Sequence, residues 1–236
     1  MNDALWNAHL ALIHKIESDG KGVDKPDGDT VEEMAKPHKE RLNRFTEVMP
    51  LLNYKKILDI GAGCGIDTRV LNDKGYDVCG LTLGKDNVVF AKKTLDTLIY
   101  EVDMHELSSY FPREYFDGAM MIDAFEHSHA PVVLLGELYY VLRAGARVMI
   151  GVPQHDAKDS QSVWHVNLLL PNQIIKYFEY WGFKYLTEYD SMSDDLLFFE
   201  KLPQSHPDFK NYGYLHWVLD EIMRVQMDKK IKRLKH

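Results

Sequence analysis

Between Lys55 and Leu202 the chain alternates short apolar runs with stretches whose apolar residues recur every three or four positions. The runs KKILDI, DVCGLTL, TLIYEVD, FDGAMMID and RVMIGVP predict strands, and IDTRVLNDKG, KDNVVFAKKTL and VVLLGELYYVLRAG predict helices between them. Strands that alternate with single helices build right-handed βαβ units, so the pattern predicts an α/β fold with a doubly wound, mostly parallel sheet. Beyond Pro153 the polar stretch QHDAKDSQS predicts a covering loop. PNQIIKYFEYWGF predicts a helix stopped at Gly182, its aromatic residues forming a core face, and KYLTEYD with DDLLFFEKL predicts a closing hairpin.

The ends of the chain follow another pattern. Leu5, Trp6, Leu10, Ile13 and Ile16 lie at helical spacing, and the polar stretch DGKGVDKPDGD follows. A second helix is expected from Asp29 or Thr30, where DTVEE has capping chemistry, towards Leu52 with an interruption at Pro37. A last helix is expected over residues 214–234. The organisation read from this is a helical cover over residues 1–52, a central domain over 53–203 and a helical extension over 204–236.

A composition of 45% apolar and 27% charged residues is that of an ordinary soluble globular protein. The net charge of −8 argues against a dedicated nucleic-acid binder, which would present a basic face. The terminal DKKIKRLKH reads as a solvated last helical turn. Cys64 and Cys79 have neither disulfide-framework nor zinc spacing, the N-terminus lacks the basic start of a signal peptide, and no run is long enough for a membrane span. A reducing cytoplasm is the expected setting.

The chemistry begins at KKILDIGAGCGIDTRVL, where an apolar strand ends at Asp59 and glycines follow at 61, 63 and 65 before a helix. Bare backbone there lets a nucleotide cofactor approach free N–H groups at a helix start. A dinucleotide fingerprint would need a glycine where Ile66 stands, which argues against a nicotinamide oxidoreductase. The stretch DIGAGCG resembles the first motif of class I S-adenosylmethionine-dependent methyltransferases, and the register holds through about Phe183. That resemblance implies a seven-stranded Rossmann-like sheet of three layers with S-adenosylmethionine as cofactor and S-adenosylhomocysteine as product. It places the cofactor on Asp59, Gly61, Ala62, Gly63 and Gly65.

Further contacts are implied at the ends of the next strands. The family's ribose-binding acid is replaced by Thr82, and GLTLGKDN resembles the cyclopropane fatty-acid synthase branch, which places ribose and adenine on Thr82, Leu83 and Asn87. In YEVDMHEL, Asp103 takes the position that accepts the adenine amino group and Met104 flanks the ring. In MMIDAFEHSH, Asp123 takes the position against the methionine end. Arg41 and Arg44 are candidates for the cofactor carboxylate, and solvated helix positions explain them equally well.

Transfer to an oxygen or nitrogen that carries a proton needs a base beside the acceptor. Glu126, His127 and His165 are the catalytic candidates, with His129 and His155 nearby in sequence and Trp164 as a lining residue. AFEH also resembles ubiquinone-type small-molecule O-methyltransferases, some of which hold a divalent metal on such residues. Asp123, Glu126 and His127 would share a face if they lay on one helical turn. No metal ligand set is assigned. The expectation is a small-molecule O- or N-methyltransferase. Lipid cyclopropanation is an alternative weakened by Gly151, which stands where that branch has a histidine, and a non-catalytic cofactor-binding module is another. The absence of DPPY or NPPY after the fourth strand argues against DNA amino-methylation.

Overall fold

A computed structural model describes residues 25–49, 56–153, 165–192 and 196–206. The expected first helix, the loop at 154–162, Trp164 and the last helix lie outside these residues. Strands β1 (Lys56–Ile60), β2 (Asp77–Thr82), β3 (Ile99–Glu101), β4 (Phe116–Ile122), β5 (Leu142–Gly151), β6 (Phe183–Tyr185) and β7 (Leu196–Lys201) form one seven-stranded sheet. Its order is β3-β2-β1-β4-β5-β7-β6, the Rossmann-like α/β arrangement with an antiparallel closing hairpin. The chain divides into two compact units, Met1–Asp103 and Met104–His236.

In the first unit β1, β2 and β3 pair in parallel, Ile60 lying opposite Leu81 and Leu81 opposite Tyr100. β1 reads KILDI because its residues are buried after the first, as parallel strands covered on both faces require. Helix α1 (Val31–Ala35) starts at a full capping box: Thr30 Oγ1 accepts from Glu33 N, and Glu33 reaches back to Thr30 N. Pro37 then sits in a single tight 3₁₀ turn, Lys36–His38, which joins α1 to α2 (Lys39–Val48). Helix α2 buries Leu42, Phe45 and Val48, at helical spacing on one stripe. Helices α3 (Ile66–Asp73) and α4 (Lys85–Thr94) follow β1 and β2.

In the second unit β4 and β5 are parallel, β5 and β7 antiparallel. Its helices are α5 (Leu107–Tyr110), α6 (Pro131–Val141) and α7 (Pro171–Tyr180). The aromatic run after Pro171 does form core: Phe178 stacks on Phe199 with centroids 4.1 Å apart and meets Phe183 edge-on. Two boundaries differ from the pattern. Helix α6 stops at Val141, not Gly145, because Leu142 already pairs with Phe116 and a bulge carrying Gly145 at φ 78° takes up the extra residues before Arg147 meets Gly118. KYLTEYD is a strand only to Tyr185, and Thr187–Met192 then forms a 3₁₀ segment. Among the described residues no helix is long and apolar enough to cross a membrane.

Candidate functional site

The first unit carries the glycine loop between β1 and α3. Gly61, Gly63 and Gly65 take φ of 77°, 52° and 88°, the left-handed region that side chains penalise. They differ in what surrounds them. A Cβ added at Gly65 would meet Ile99, Ala91 and Thr97 at 3.1–3.4 Å, so that glycine serves packing. At Gly63 the added Cβ meets none of the described residues within 4 Å, so among them the missing side chain leaves open space beside the loop. The loop is tied down by Ala62 N donating to Leu81 O and Gly65 N to Ala62 O, each at 2.8 Å.

Asp59 is 3% exposed and accepts the Thr68 hydroxyl at 2.6 Å. Burial first, and then the charge of Asp67, push the Asp59 pKa up to about 7, with Thr68 and Arg41 opposing. Sequence reasoning missed Thr68 and the reason for Gly80. A Cβ on Gly80 would lie 2.5 Å from Thr68 Oγ1 and 2.6 Å from Ile99 Cγ2, so β2 needs a glycine for the loop helix to approach it. An isolated glycine within an apolar strand is the signal that could have found it.

At the end of β2 Thr82 is buried, its carbonyl accepts from Val102 N at 3.1 Å and its Oγ1 accepts from Gly84 N at 3.2 Å. The hydroxyl proton is left to donate. Asn87 is buried against Gly84, Leu83 is half-buried, and Asp103 is buried just past β3. Thr82, Leu83, Asn87 and Asp103 thus all stand at strand ends or helix starts of the unit that holds the loop, and polar groups there with open space at Gly63 fit a nucleoside cofactor. The two arginines are engaged elsewhere: Arg41 is hydrogen-bonded to Asp67, and Arg44 pairs with Glu40.

The second unit holds Met104, half-buried in a 3₁₀ turn, and the loop after β4. Asp123 is exposed at φ 48°, and its N–H donates to Gly151 O at 3.0 Å. Phe125–His127 is one 3₁₀ turn, not an α-helical one, and Glu126 points inward while Asp123 is exposed. The shared face expected for Asp123, Glu126 and His127 is therefore not formed.

His165 joins Glu126 and His127 instead. Asn167 N donates to Glu126 O at 2.9 Å and brings the segment in. His127 Nε2 and His165 Nε2 each lie 3.9 Å from Glu126 Oε1, and the two rings meet edge-on with centroids 5.1 Å apart. Neither Glu126 oxygen has a hydrogen-bond partner among the described residues. Burial, with Asp123 adding to it, pushes the Glu126 pKa up to about 7. One ligand atom from each residue falls within 4.8 Å of the others, so a cation could be held there. Close by, His105 Nε2 is 2.8 Å from Ser128 Oγ, with the His129 ring 4.1 Å from that of His105.

A parallel sheet wound with helices, with a glycine loop and polar groups at its strand ends, defines a nucleotide-cofactor α/β protein. Residues 58–150 match the family described as "Methyltransferase domain". That match spans β1 to β5 and agrees with the resemblance of this segment to class I S-adenosylmethionine-dependent methyltransferases. A ubiquinone biosynthesis O-methyltransferase from Aeromonas salmonicida is 28% identical over 123 residues, 50% of this chain and 51% of the relative. The chain thus spans about half the length of the curated relatives it matches. Among solved structures, a SAM-dependent methyltransferase from Archaeoglobus fulgidus has a TM-score of 0.55 at 23% identity, covering 63% of this chain and 69% of the other. The [4+2]-cyclase SpnF has a TM-score of 0.57 at 13% identity, covering 85% and 95%. At these identities the likeness establishes the fold, which is compatible with more than one chemistry.

Proposed function

We propose that this chain transfers a methyl group from S-adenosylmethionine to an oxygen or nitrogen of a small molecule. The observation that carries the transfer chemistry is the Glu126 carboxylate, buried beside two imidazoles and with a pKa raised to about 7. Such a group takes a proton near neutral pH, which is what an acceptor hydroxyl or amine must lose. The cofactor supplies the methyl group. Asp59, Gly61, Ala62 and Gly63 would line the cofactor, with Gly65 letting the loop pack tightly enough to receive it, Thr82, Leu83 and Asn87 would hold its ribose and adenine, and Asp103 would accept from the adenine amino group. The assignment of Met104 and Asp123 to the cofactor rests on the resemblance of their motifs. In this reading Glu126, with His127 and His165 beside it, would take the proton that the acceptor's hydroxyl or amine loses on methylation. The relatives named as ubiquinone biosynthesis O-methyltransferases favour oxygen over nitrogen.

Calorimetric titration with S-adenosylmethionine, S-adenosylhomocysteine and NAD tests the cofactor. Micromolar binding of the two sulfur compounds, weakened in Asp103→Ala, is expected. Tighter binding of NAD would overturn the reading. Turnover in an acceptor screen with methyl-labelled cofactor then separates an enzyme from a non-catalytic binding module.

A second reading, a divalent cation on Glu126, His127 and His165, is favoured by the two carboxylate oxygens that no hydrogen bond satisfies among the described residues. Titration with Mn²⁺ and Zn²⁺ tests it: binding lost in both Glu126→Gln and His165→Ala supports a metal, and none in the wild type leaves the proton-transfer role alone.

A further inference from the structure

The loop that carries the cofactor reading contains three glycines in five residues, all at positive φ. Glycine loses more backbone freedom on ordering than any other residue, so such a loop keeps one shape only if its surroundings impose it. Part of what surrounds it is the N-terminal helical segment. Met34 of α1 packs into a buried cluster with Cys64, which lies inside the loop, and with Ile66, the first residue of α3, and Leu95. Val31, Ala35 and Phe90 pack against that cluster. The apolar grip is completed by a polar one. Asp67, on the first turn of α3 and 7% exposed, takes two hydrogen bonds from Arg41, from Nε at 3.1 Å and Nη2 at 2.7 Å. His38 Nδ1 lies 2.5 Å from the other carboxylate oxygen, where the tautomer protonated on Nδ1 donates.

We propose that His38, Arg41 and Asp67 form a latch by which the helical cover holds the glycine loop in its cofactor-binding shape, so that cofactor affinity is set by residues that act through the loop. The inference rests on the cofactor reading above. Three features support it beyond ordinary packing. Two guanidinium N–H groups of Arg41 converge on one Asp67 oxygen while His38 meets the other, so the carboxylate is held in direction as well as distance. Its anchor immediately follows the loop, one residue beyond Ile66, whereas its donors sit on the 3₁₀ turn and α2 of the cover. Its charge also reaches the loop: burial raises the Asp67 pKa, but the His38 hydrogen bond and the Arg41 charge outweigh it and keep the carboxylate ionised, and that charge acts in turn on Asp59. His38, Arg41 and Asp67 are positioning residues in this scheme, not ligands.

The chain supplies its own reporter. Cys64 is buried under Met34 in the loop, and Cys79 is the other cysteine, its thiol pushed up to about 12 first by burial and then by Asp77 and Asp59. Iodoacetamide labelling, read by peptide mass, therefore follows opening of the cover at Cys64, with Cys79 as the control for general loosening. The full chain is compared with Arg41→Gln, Arg41→Lys and His38→Gln, with the affinity for S-adenosylhomocysteine measured in parallel. In Arg41→Gln both the Cys64 labelling rate and the dissociation constant are expected to rise roughly tenfold. Arg41→Lys, which keeps the charge and loses the fork, falls between, and saturating S-adenosylhomocysteine restores slow labelling.

Three results overturn the latch. One is Cys64 labelling within about twofold of wild type in both Arg41→Gln and His38→Gln. Another is faster labelling with unchanged affinity. The third is a parallel rise at Cys79, which marks global destabilisation. Failure of the wild type to bind S-adenosylhomocysteine would instead overturn the cofactor reading itself, and the latch's effect on affinity with it.

Discussion

His165 Nε2 stands 3.9 Å from Glu126 Oε1, the carboxylate being 3% exposed and the imidazole 8%. The burial that raises the Glu126 pKa from 4.5 to about 7 also fixes how stability depends on pH. A carboxyl whose folded-state pKa lies above its unfolded value binds its proton more tightly when folded. It costs nothing differential below about pH 4.5, and the cost grows as pH rises and is complete above about 7. Glu126→Gln is therefore expected to raise the unfolding free energy by about 1–3 kcal/mol at pH 8 and to leave it nearly unchanged at pH 4.5. Urea denaturation at the two pH values measures this, and an equal effect at both would remove the raised pKa.

Two glycines of the first unit should respond to alanine in opposite ways. No described residue lies within 4 Å of a Cβ at Gly63, so Gly63→Ala bears the left-handed penalty of about 1–2 kcal/mol. On the proposed cofactor reading it should nonetheless cut S-adenosylhomocysteine affinity by roughly tenfold or more, because the methyl would enter the space assigned to the cofactor. Gly80→Ala puts a methyl 2.5 Å from Thr68 Oγ1 and should lower stability by about 2–3 kcal/mol, with the Thr68–Asp59 hydrogen bond lost first. Thermal melting and calorimetry on both variants separate the two effects.

The difference between those glycines also shows what was legible in the chain. Strand ends, helix starts and the loop between them follow from local periodicity, so Gly61, Gly63 and Gly65, Thr82 and Asp103 could be placed from sequence. The alternation of strands and helices gave the parallel sheet for the same reason. Pairings between distant segments left no local trace. Nothing in the spacing joins His165 to Glu126, because the join is made by Asn167 in a stretch without regular structure. Nor does it join Arg41 to Asp67; a helical arginine ahead of a cofactor loop reads equally well as a ligand to the cofactor. The shared face proposed for Asp123 and Glu126 assumed an α-helical turn, and Asp123 at positive φ followed by a 3₁₀ turn rotates the two apart. The end of α6 was misplaced because strand pairing at Leu142 overrode a helix-favouring sequence up to Gly145.

The capping box at Thr30 was visible as DTVEE, and it starts the cover whose next turns carry His38 and Arg41. Thr30→Ala removes the acceptor for Glu33 N and should lower stability by about 1 kcal/mol. Because α1 is only five residues long, its loss should also loosen Met34 over Cys64, raising the Cys64 labelling rate without altering Cys79. Labelling that stays at the wild-type rate would mean that Met34 is held by packing alone.

Gly151 bears on the cyclopropane-synthase alternative, since that branch has a histidine at the matching position. The glycine ends β5, accepts from Asp123 N through its carbonyl, and lies opposite Leu196. A Cβ there would meet Ile122 Cδ1 at 3.0 Å and Leu196 Cδ2 at 3.1 Å, both tips of flexible side chains. A methyl could be admitted by small rotations, so Gly151→Ala should cost about 1 kcal/mol. An imidazole is far larger than the gap between Ile122 and Leu196 admits, so Gly151→His should cost about 1–3 kcal/mol. Chemical denaturation of the two variants checks the order. A Gly151→His protein as stable as wild type would overturn this account of the packing at the end of β5.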